Sequence, residues 1–309
     1  MTKTLVTGAT GLLGSHLLGL LREHGYQIRV LVRTASQSQL FPRDVEVIKG
    51  DIRDPRDVDA AVSGSQYVFH CCSTHVYNIP AEEMWKVNVE GTRHVCDAVQ
   101  RHDCERLIFT GTVSTLSARS RAEKPDPRAS PRQRNSINKQ LADELVVSRI
   151  EKGLRALIVS PSFFIGPFDY SPSPFRLWIP MAIIRPIRLV PNGGFNVVGA
   201  ADVARVHLWA LKEGRVGEHY PIVGENLSLL DYARMVNHAV GSDREPKLIS
   251  PRALRCLARG RVFDAYVAAM LCRENVVEAR YNYPFPIRPV ARVIDETVDW
   301  FKSSSTTVL

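Results

Sequence analysis

The sequence lacks the features that would place it among zinc proteins or small disulfide-bonded domains. Its 309 residues include six cysteines, and their spacing fits neither a zinc site nor a compact disulfide framework. They are Cys71, Cys72, Cys96, Cys104, Cys256 and Cys272. We therefore expect reduced thiols in a cytoplasmic protein. A signal-peptide pattern before the first apolar segment is also absent, which favours the same location.

Long uninterrupted apolar runs are missing as well. The most apolar late segment, Leu177–Val190, is broken by prolines at 180 and 186 and by arginines at 185 and 188, so we expect no membrane span. The formal net charge of +8 would suit an anionic ligand. No recognised nucleic-acid-binding motif accompanies that charge, and we expect no nucleic-acid partner. The length and ordinary composition allow one large core, or a domain with a smaller partner.

A glycine-rich turn stands at the start of the chain, in the segment Thr4–Gly14 (TLVTGATGLLG). An apolar strand precedes this turn and a leucine-rich helix follows it. In that context Gly8 allows a tight turn, Gly11 lets the backbone approach a pyrophosphate, and Gly14 lets helix and strand pack closely. Backbone N–H groups and the positive end of the helix then face the anion. The alternative is a tight turn that binds nothing.

Strands and helices alternate through the first half of the chain. Predicted strands are Gln27–Val32, Val45–Lys49, Tyr67–His70, Arg106–Thr110 and Ala156–Ser160, and predicted helices are Asp57–Val62, Trp85–Arg101 and Ser136–Glu151. This alternation predicts an α/β fold with a doubly wound parallel sheet. After Pro161 the sequence becomes proline-rich and less periodic. We expect a nucleotide domain (1–165 and about 195–224) and a smaller, interleaved C-terminal substrate domain (about 166–194 and 225–309).

Two charged residues follow the second and third strands. Arg33 lies at the place where an acid would hold a ribose 2′-hydroxyl and an arginine would accommodate a 2′-phosphate. It could equally be a surface arginine at a strand end. Asp51 either reaches an adenine amino group or caps the next turn. The later segment Arg119–Arg134 is either a solvated polar loop or a basic lid that attracts an anionic substrate.

Several motifs together resemble the extended short-chain dehydrogenases/reductases of the NAD-dependent epimerase/dehydratase superfamily. The motifs are TGATGLLG, Gly50–Ile52, Val68–His70, Asn88–Thr92, Phe109–Leu116, Asn138-Lys139, Pro161-Ser162, Gly166-Pro167 and Asp202–Ala204. The phrases GGFNVV, DVARVHLWALKEGRVGEHY and GENLSL are similar to the dihydroflavonol reductase branch, with its hopanoid-associated sugar epimerase-like proteins. This chain is atypical of the family at one catalytic position, which holds Asn135.

The resemblance implies a Rossmann-type nucleotide domain, NADP(H) as cofactor and a small-molecule substrate. It places the cofactor against the glycine turn, the ends of the following strands and one catalytic lysine. The implied cofactor-binding residues are Gly8, Thr10, Gly11, Leu12, Leu13, Gly14, Arg33, Asp51, Ile52, Cys71, Lys139, Pro161 and Phe163. No metal is implied. Fold resemblance does not identify the substrate.

The family uses a Ser or Thr, and a Tyr four residues before a Lys. By resemblance Thr112 takes the hydroxyl position, and Lys139 takes the lysine that also binds the nicotinamide ribose. A phenol is too weak an acid–base at neutral pH until a neighbouring ammonium lowers its pKa. The tyrosine position holds Asn135, and no tyrosine occurs between Tyr77 and Tyr170. Asparagine does not titrate, so Asn135 cannot be the acid or base.

Three residues are candidate replacements for the missing acid–base group. His75 and Tyr77 lie in the loop after the fourth strand, which borders the substrate in this family, and Tyr170 lies in the later substrate-side loop. Three functions remain open: an NADP(H)-dependent reductase or epimerase with a relocated proton donor, a non-redox isomerase, cyclase or lyase, and a non-catalytic nucleotide sensor. The first is favoured by the resemblance.

Family members often pair two long helices of each subunit into a four-helix bundle. The corresponding helices here are Trp85–Arg101 and Ser136–Glu151, and a bundle requires apolar residues on their outer faces. Val89 and Val147 are candidates, unless they only pack on the sheet. The resemblance therefore predicts a homodimer.

Overall fold

The computed structural model describes residues 2–34, 37, 39–74, 79–116, 131–170, 177–250, 274–275 and 281–304, excluding the side chains of 116, 131–134 and 274–275. This part of the chain forms two compact units. The first contains Met1–Pro161 and Val203–Ile222, and the second contains Ser162–Asp202 and Val223–Leu309. The chain therefore leaves the first unit once and returns to it.

The described strands and helices are numbered here in chain order. The strands are β1 Lys3–Thr7, β2 Gln27–Val32, β3 Glu46–Lys49, β4 Tyr67–His70, β5 Arg106–Thr110, β6 Ala156–Pro161, β7 Phe163–Ile165, β8 Leu189–Val190, β9 Gly194–Gly199, β10 His219–Ile222, β11 Glu225–Ser228, β12 Lys247–Leu248 and β13 Glu274–Asn275. The helices are α1 Leu12–Glu23, α2 Pro55–Val62, α3 Ala81–Trp85, α4 Gly91–Arg101, α5 Val113–Leu116, α6 Pro131–Glu151, α7 Trp178–Ile184, α8 Ala200–Glu213, α9 Leu229–Ala239 and α10 Val290–Ser303. A π-helical turn, Lys86–Glu90, joins α3 to α4.

The first unit is built on a seven-stranded sheet with the order β10-β6-β5-β4-β1-β2-β3. All of its neighbouring strands run parallel. The predicted α/β, Rossmann-type parallel sheet is therefore confirmed. The connection order reverses between β1 and β4, and in open sheets of this kind ligands bind outside the carboxyl ends of the strands at such a reversal.

Apolar strands explain the burial of this sheet. Parallel sheets are covered on both faces, so their strands are near-continuous hydrophobic runs. The segments ALIVSP of β6 and RLIFT of β5 show this pattern, and every residue of β6 is buried. The predicted helix over 136–151 begins earlier, at Pro131, so residues 131–134 belong to α6 and not to the preceding basic loop. Residues 119–130 of that loop lie outside the described part.

The second unit has a small sheet with β9 at its centre. β9 pairs with β7 and β13 in parallel, and with β11 in the antiparallel direction. Helices α7, α9 and α10 contribute to its core. The largest buried side chains include Tyr232, whose ring meets Phe195 edge-on at 5.2 Å between centroids. This unit is more regular than the proline-rich sequence predicts.

The borders of the compact units differ from the expected domain borders. Contacts place 162–165, 195–202 and 223–224 in the second unit, whereas the sequence-based division placed them in the first. The physical reason is strand pairing, because β7 and β9 hydrogen-bond to each other in the second sheet. The assignment of cofactor and substrate to these units remains a proposal.

Within the described residues, the structure contains neither a membrane-spanning helix nor a cluster of metal-binding side chains. Among these residues, no helix combines the length and the apolarity that crossing a bilayer requires. The same ranges contain no group of three or more His, Cys, Asp or Glu side chains arranged to hold a metal ion.

Candidate active site

The turn between β1 and α1 has the conformation that its glycines permit. Gly8 has φ = +74°, a region that side-chain-bearing residues rarely adopt. The N–H of Gly11 donates to the Gly8 carbonyl at 3.0 Å, and the Ser15 N–H donates to the Gly11 carbonyl at 2.9 Å as α1 begins. Gly11 is the N-cap and makes no side-chain capping bond. The N-cap therefore offers no side-chain acceptor to the first N–H groups of α1.

The glycine positions are also sterically required. A Cβ on Gly8 would lie 2.7 Å from the backbone nitrogen of Cys72, and a Cβ on Gly14 would lie 2.2 Å from the Gly8 carbonyl oxygen. The turn is thus packed against the loop after β4 and against its own helix. Only residues without a Cβ leave the backbone this close, which fits a cradle for a dinucleotide pyrophosphate.

The residues around the glycines leave the helix end without negative charge. The first turn of α1 contains no acidic residue, and Leu12 and Leu13 are buried. Thr10 is half-buried within the turn. The helix dipole and the free N–H groups at this end favour an anion.

A buried histidine connects the ends of β1 and β4. The Thr92 hydroxyl donates to the Asn88 carbonyl at 2.7 Å, so it accepts from His70 Nε2 at 3.0 Å. His70 Nδ1 then accepts from the Thr7 hydroxyl at 2.7 Å. Burial lowers the pKa of His70 to about 3, so the ring is neutral. This chain of hydrogen bonds fixes the strand ends that carry the glycine turn and Cys71.

A second buried histidine has the opposite tautomer. His207 Nδ1 lies 2.8 Å from the Val203 carbonyl and must donate there, which leaves Nε2 to accept from Thr110 at 2.9 Å. Burial lowers the pKa of His207 to about 4. His70 ends the Val68–His70 motif, but no role for its side chain, or for that of His207, was predicted from the sequence. The sequence does contain a signal for both, because a histidine among the apolar residues of a strand or helix indicates a buried, hydrogen-bonded ring.

Four more predicted cofactor residues lie at or after the ends of strands β3, β4 and β6. Ile52, Cys71 and Pro161 belong to the first unit, and Phe163 belongs to the second. Cys71 lies beside the glycine turn, and burial raises the pKa of its thiol to about 12, so the group is protonated. Ile52 is buried and packs against Gly91, and Pro161 ends β6. Phe163 lies in β7 of the second unit, with its ring edge-on to Phe195 at 5.3 Å.

Arg33 and Asp51 follow adjacent strands. Arg33 is exposed, and its positive charge contributes to lowering the pKa of Asp51. The larger contribution to that lowered pKa comes from hydrogen bonds donated by Arg53, one of which joins Arg53 Nη2 to Asp51 Oδ2 at 2.7 Å. Asp51 Oδ1 also accepts from the Arg53 backbone N–H at 2.9 Å. The structure therefore shows the turn-capping contact of Asp51, and an adenine would share its carboxylate with Arg53.

Thr112 lies between β5 and the short helix α5, directly before the first residue of α5. Its hydroxyl contacts the Ser114 hydroxyl at 3.1 Å, and its carbonyl accepts from Thr115 Oγ1 at 2.7 Å. Thr112 is partly exposed. A hydroxyl that bonds to another rotatable hydroxyl can turn towards a substrate oxygen without leaving a buried group unpaired.

Asn135 and Lys139 lie one helical turn apart on α6 and share a face. Burial lowers the pKa of the Lys139 ammonium, while the Asp143 charge opposes this change. Asn135 Oδ1 and both polar atoms of the Asn138 amide are buried, and no described residue hydrogen-bonds to them. These amides and the lysine are the polar groups that α6 offers to a ligand. The amide at 135 can orient a substrate oxygen, but it has no proton to exchange.

Asp143, a further turn along α6, is a buried acid near Lys139 and Thr115 that was not among the residues predicted from the sequence. Its side chain is buried and contacts the Thr115 hydroxyl through Oδ2. Burial raises its pKa to about 6, although Thr115 and the charge of Lys139 partly oppose this. Asp143 Oδ1 lies by the position that a Cβ on Gly111 would occupy, as does Ser160 Oγ. The spacing of four from Lys139 was the signal available in the sequence.

Of the three candidate replacements for the missing tyrosine, the structure describes only Tyr170. His75 and Tyr77 lie outside the described residues. Tyr170 belongs to the second unit, where it is 54% exposed and its ring meets Trp300 edge-on at 5.4 Å. Its role as a proton donor remains a prediction.

Residues 4–223 match the NAD dependent epimerase/dehydratase family. The chain is 30% identical over 235 residues to the "Putative dihydroflavonol 4-reductase" of Synechocystis, covering 72% of this chain and 68% of that protein. It is 29% identical over 262 residues to "Sterol demethylase protein B" of Methylococcus capsulatus, covering 82% and 80%.

A solved structure supports the same grouping. The crystal structure of gox2253 is similar with a TM-score of 0.79 and 32% identity, covering 98% of each chain. Homologues in this family are oxidoreductases and epimerases, and the family binds an NAD(P) nucleotide. The glycine turn, the parallel sheet and the match over 4–223 establish that the chain belongs to the NAD-dependent epimerase/dehydratase family of extended short-chain dehydrogenases/reductases.

Proposed function

We propose that the protein is an NADP(H)-dependent reductase that acts on a carbonyl or hydroxyl group of a small molecule. The observation that carries this proposal is the pairing of a glycine cradle with Lys139 and Thr112 in the same compact unit. The name of the Synechocystis relative as a reductase supports reduction over epimerisation. NADPH would supply the hydride when bound. Lys139 would hold the nicotinamide ribose and Thr112 the substrate oxygen.

The proton must come from a group other than the residue at 135. Asn135 occupies the turn before Lys139 and cannot titrate. We propose a relocated donor, with Tyr170, Tyr77 and His75 as the candidates. Loss of a general acid commonly costs about 10²–10⁴ in rate, so replacing the true donor should lower turnover by about 10²-fold or more.

The cofactor preference is proposed from Arg33. Its exposed guanidinium follows β2, and Arg53 already bonds the carboxylate of nearby Asp51. Isothermal titration with NADPH and NADH should show tighter NADPH binding by wild type and loss of that preference in Arg33→Ala. Arg43→Ala removes another exposed arginine and should leave both affinities unchanged. Equal binding of the two nucleotides by wild type would contradict the preference.

The redox reaction is tested at Asn135. With a reducible substrate, wild type should oxidise NADPH, measured by the fall in nicotinamide absorbance. Asn135→Tyr places a phenol beside Lys139 and should raise the rate. Asn135→Ala tests whether the amide itself orients the substrate, and any such effect should appear mainly in KM.

A second function is favoured by the same asparagine. Without a titrating group at 135, the scaffold would suit a non-redox isomerase, cyclase or lyase that retains its nucleotide. In that case product would form with no net change in NADPH absorbance, and Asn135→Tyr would add nothing. A nucleotide sensor would bind NADP(H) without forming product from any substrate.

Two properties of the molecule remain proposals. The first is a cytoplasmic location. The second is a homodimer through the helix pair α4 and α6. Val89 is buried within the protomer, and Val147 packs against the first unit's core, so these two valines serve the protomer itself. Ile137, Leu141 and Leu145 recur every four residues, are half-buried and stand outside that core cluster as described. These three residues now carry the dimer proposal.

A further inference from the structure

A stripe of exposed apolar side chains runs along α7 in the second unit. Leu177, Met181 and Ile184 are 38%, 60% and 67% exposed. Their spacing of four and three places them on one face of a helix. Leu177 is already part of the helical turn, because the Met181 N–H donates to its carbonyl at 3.0 Å.

The opposite face of α7 is the one that packs on the unit. Ile179 and Ala182 are both 1% exposed and belong to the core of the second unit. Trp178 and Ile183 pack against the same core. The exposed stripe is therefore a second apolar face on a helix whose first is already buried. Exposed apolar residues that cluster in this way mark an interaction site more often than scattered ones do.

Basic side chains follow the stripe directly. The Asn237 amide donates at 2.8 Å to the carbonyls of both Ile187 and Arg244, which brings the two basic segments together. The charges of Arg244 and Arg185 lower the pKa of the exposed Arg188 guanidinium. The short strands β8 and β12 hold the two segments side by side, with Lys247 opposite Leu189. Leu189 is itself 59% exposed. Arg185, Arg188 and Arg244 form no ion pair with an acidic side chain of the described residues.

The acids near this surface are few. The segment 177–190 contains none, and 241–248 contains Asp243 and Glu245. Glu245 is already paired with Arg234, at 2.5 Å. Within these two described segments, four exposed cations, Arg185, Arg188, Arg244 and Lys247, stand beside two carboxylates, one of which is paired with Arg234. The surface combines an excess of positive charge with protruding aliphatic side chains.

We propose that this surface of the second unit, formed by Leu177, Met181, Ile184, Arg185, Arg188, Leu189, Arg244 and Lys247, docks on an anionic phospholipid bilayer. Aliphatic side chains would enter the headgroup boundary while the guanidinium groups meet lipid phosphates and carboxylates. Charge complementarity selects this partner over a second copy of the chain, because the same cluster on a two-fold mate would bring like charges together. The proposal concerns attachment to the membrane surface and does not depend on the reaction catalysed.

The test is cosedimentation of the full chain with vesicles. Wild type should bind vesicles of phosphatidylcholine containing phosphatidylserine, more weakly at high salt, and should bind pure phosphatidylcholine much less. Each arginine near an anionic surface contributes about 1 kcal/mol, so Arg188→Ala should weaken binding about fivefold. Met181→Asp and Ile184→Asp should each weaken it about tenfold or more, because an ion would enter the apolar boundary.

Matched variants control for charge and exposure. Arg215→Ala removes an exposed cation of the first unit, and Leu40→Asp changes a leucine that is 59% exposed there. Both should bind vesicles within about twofold of wild type, since neither lies in the proposed surface. Absence of wild-type binding to anionic vesicles would overturn the proposal. Equal losses in the control variants would also overturn it, as would a dimer that Met181→Asp dissociates without any vesicle binding.

Discussion

The carboxyl group of Asp143 is hydrogen-bonded to the hydroxyl of Thr115, 28 positions away in the sequence. Which of the two groups donates the proton of this bond depends on whether Asp143 is protonated. The Thr115 hydroxyl has one proton, and its oxygen also lies 2.7 Å from the Thr112 carbonyl. When Asp143 is protonated it donates to Thr115, which in turn donates to Thr112. When Asp143 is ionised its carboxylate accepts the hydrogen bond from the Thr115 hydroxyl, and the Thr112 carbonyl keeps only the bond from the Thr115 backbone N–H, at 3.2 Å. The ionisation of Asp143 is thereby coupled to the backbone of a predicted catalytic residue.

This coupling gives a pH dependence of stability. Burial raises the pKa of Asp143 from 3.8 to about 6. The folded state therefore keeps a proton that the unfolded state releases, and the contribution of Asp143 to stability is lost as pH rises from about 4 to about 6. The two-unit shift corresponds to roughly 3 kcal/mol. In Asp143→Asn this loss should be absent, because the amide can donate to Thr115 at every pH. Urea unfolding across this pH range measures the difference.

The control for this measurement is Glu151→Gln, which removes an exposed carboxyl at the end of α6 that is not among the groups acting on the pKa of Asp143. This variant should keep the loss of stability that Asp143 causes, because Asp143 is intact. His70 and His207 give the opposite slope, because burial keeps them neutral in the fold and acid favours the unfolded chain. They contribute equally to both proteins, so the difference between wild type and Asp143→Asn isolates Asp143. A constant difference across the range would show that Asp143 does not titrate there.

Replacing glycine by alanine should have opposite effects on stability at two positions of α1, Gly14 and Gly19. Gly14→Ala places a Cβ 2.2 Å from the Gly8 carbonyl, so it should destabilise the protein by about 1–3 kcal/mol and weaken nucleotide binding. Gly19→Ala meets no atom within 4 Å and should stabilise the protein by about 0.5–1 kcal/mol with unchanged binding. Thermal unfolding with and without NADPH measures both. Similar effects at the two positions would contradict the close packing at Gly14.

The hydrogen bond from Thr7 to His70 should stabilise the fold, because its acceptor, His70 Nδ1, is buried. Thr7→Val keeps the shape of the side chain but leaves Nδ1 of His70 without a donor, at a cost of about 1–3 kcal/mol. Thr7→Ser restores the hydroxyl and should recover most of this loss. Chemical denaturation of the three proteins measures the effect. If valine and serine were equally tolerated, the hydrogen bond would contribute little.

The dimer proposal predicts the effect of a charge placed among Ile137, Leu141 and Leu145 on α6. Leu141→Glu should convert a dimer into a folded monomer, because a buried carboxylate would oppose helix pairing. Sedimentation velocity at micromolar concentration measures the mass. Leu40→Glu, which changes an exposed leucine elsewhere in the first unit, should sediment as wild type. A wild-type monomer would remove the basis for the dimer.

The sequence predicts the first unit well because its signals are local. Apolar runs bounded by turns mark strands such as Tyr67–His70 and Arg106–Thr110, and the structure has them at those bounds. The start of α6 was predicted late because its first turn, PRQRN, has no apolar periodicity. The signal for a helix there is absent from the local pattern.

The second unit depends on contacts that no local pattern contains. Strand β9 has the sequence GFNVVG, whose two glycines weaken a strand prediction. It is held by Asn196, whose side chain accepts from the Gly224 N–H at 2.9 Å and donates to Asn226 Oδ1 at 2.9 Å. Asp143 was missed for a similar reason. Its spacing from Lys139 shows a shared helix face, but its burial depends on distant Gly111 and Ser160.

The interleaved connectivity of the first unit has a consequence for synthesis on the ribosome. The outer edge of β6 is covered by β10, whose residues leave the ribosome only after the segment 162–202 has been made. Until then the nascent chain presents an apolar strand with an open row of backbone N–H and C=O groups, which favours pairing with other chains. A fragment that stops at Pro161 would keep that edge permanently, so we expect it to aggregate although it contains the whole glycine turn.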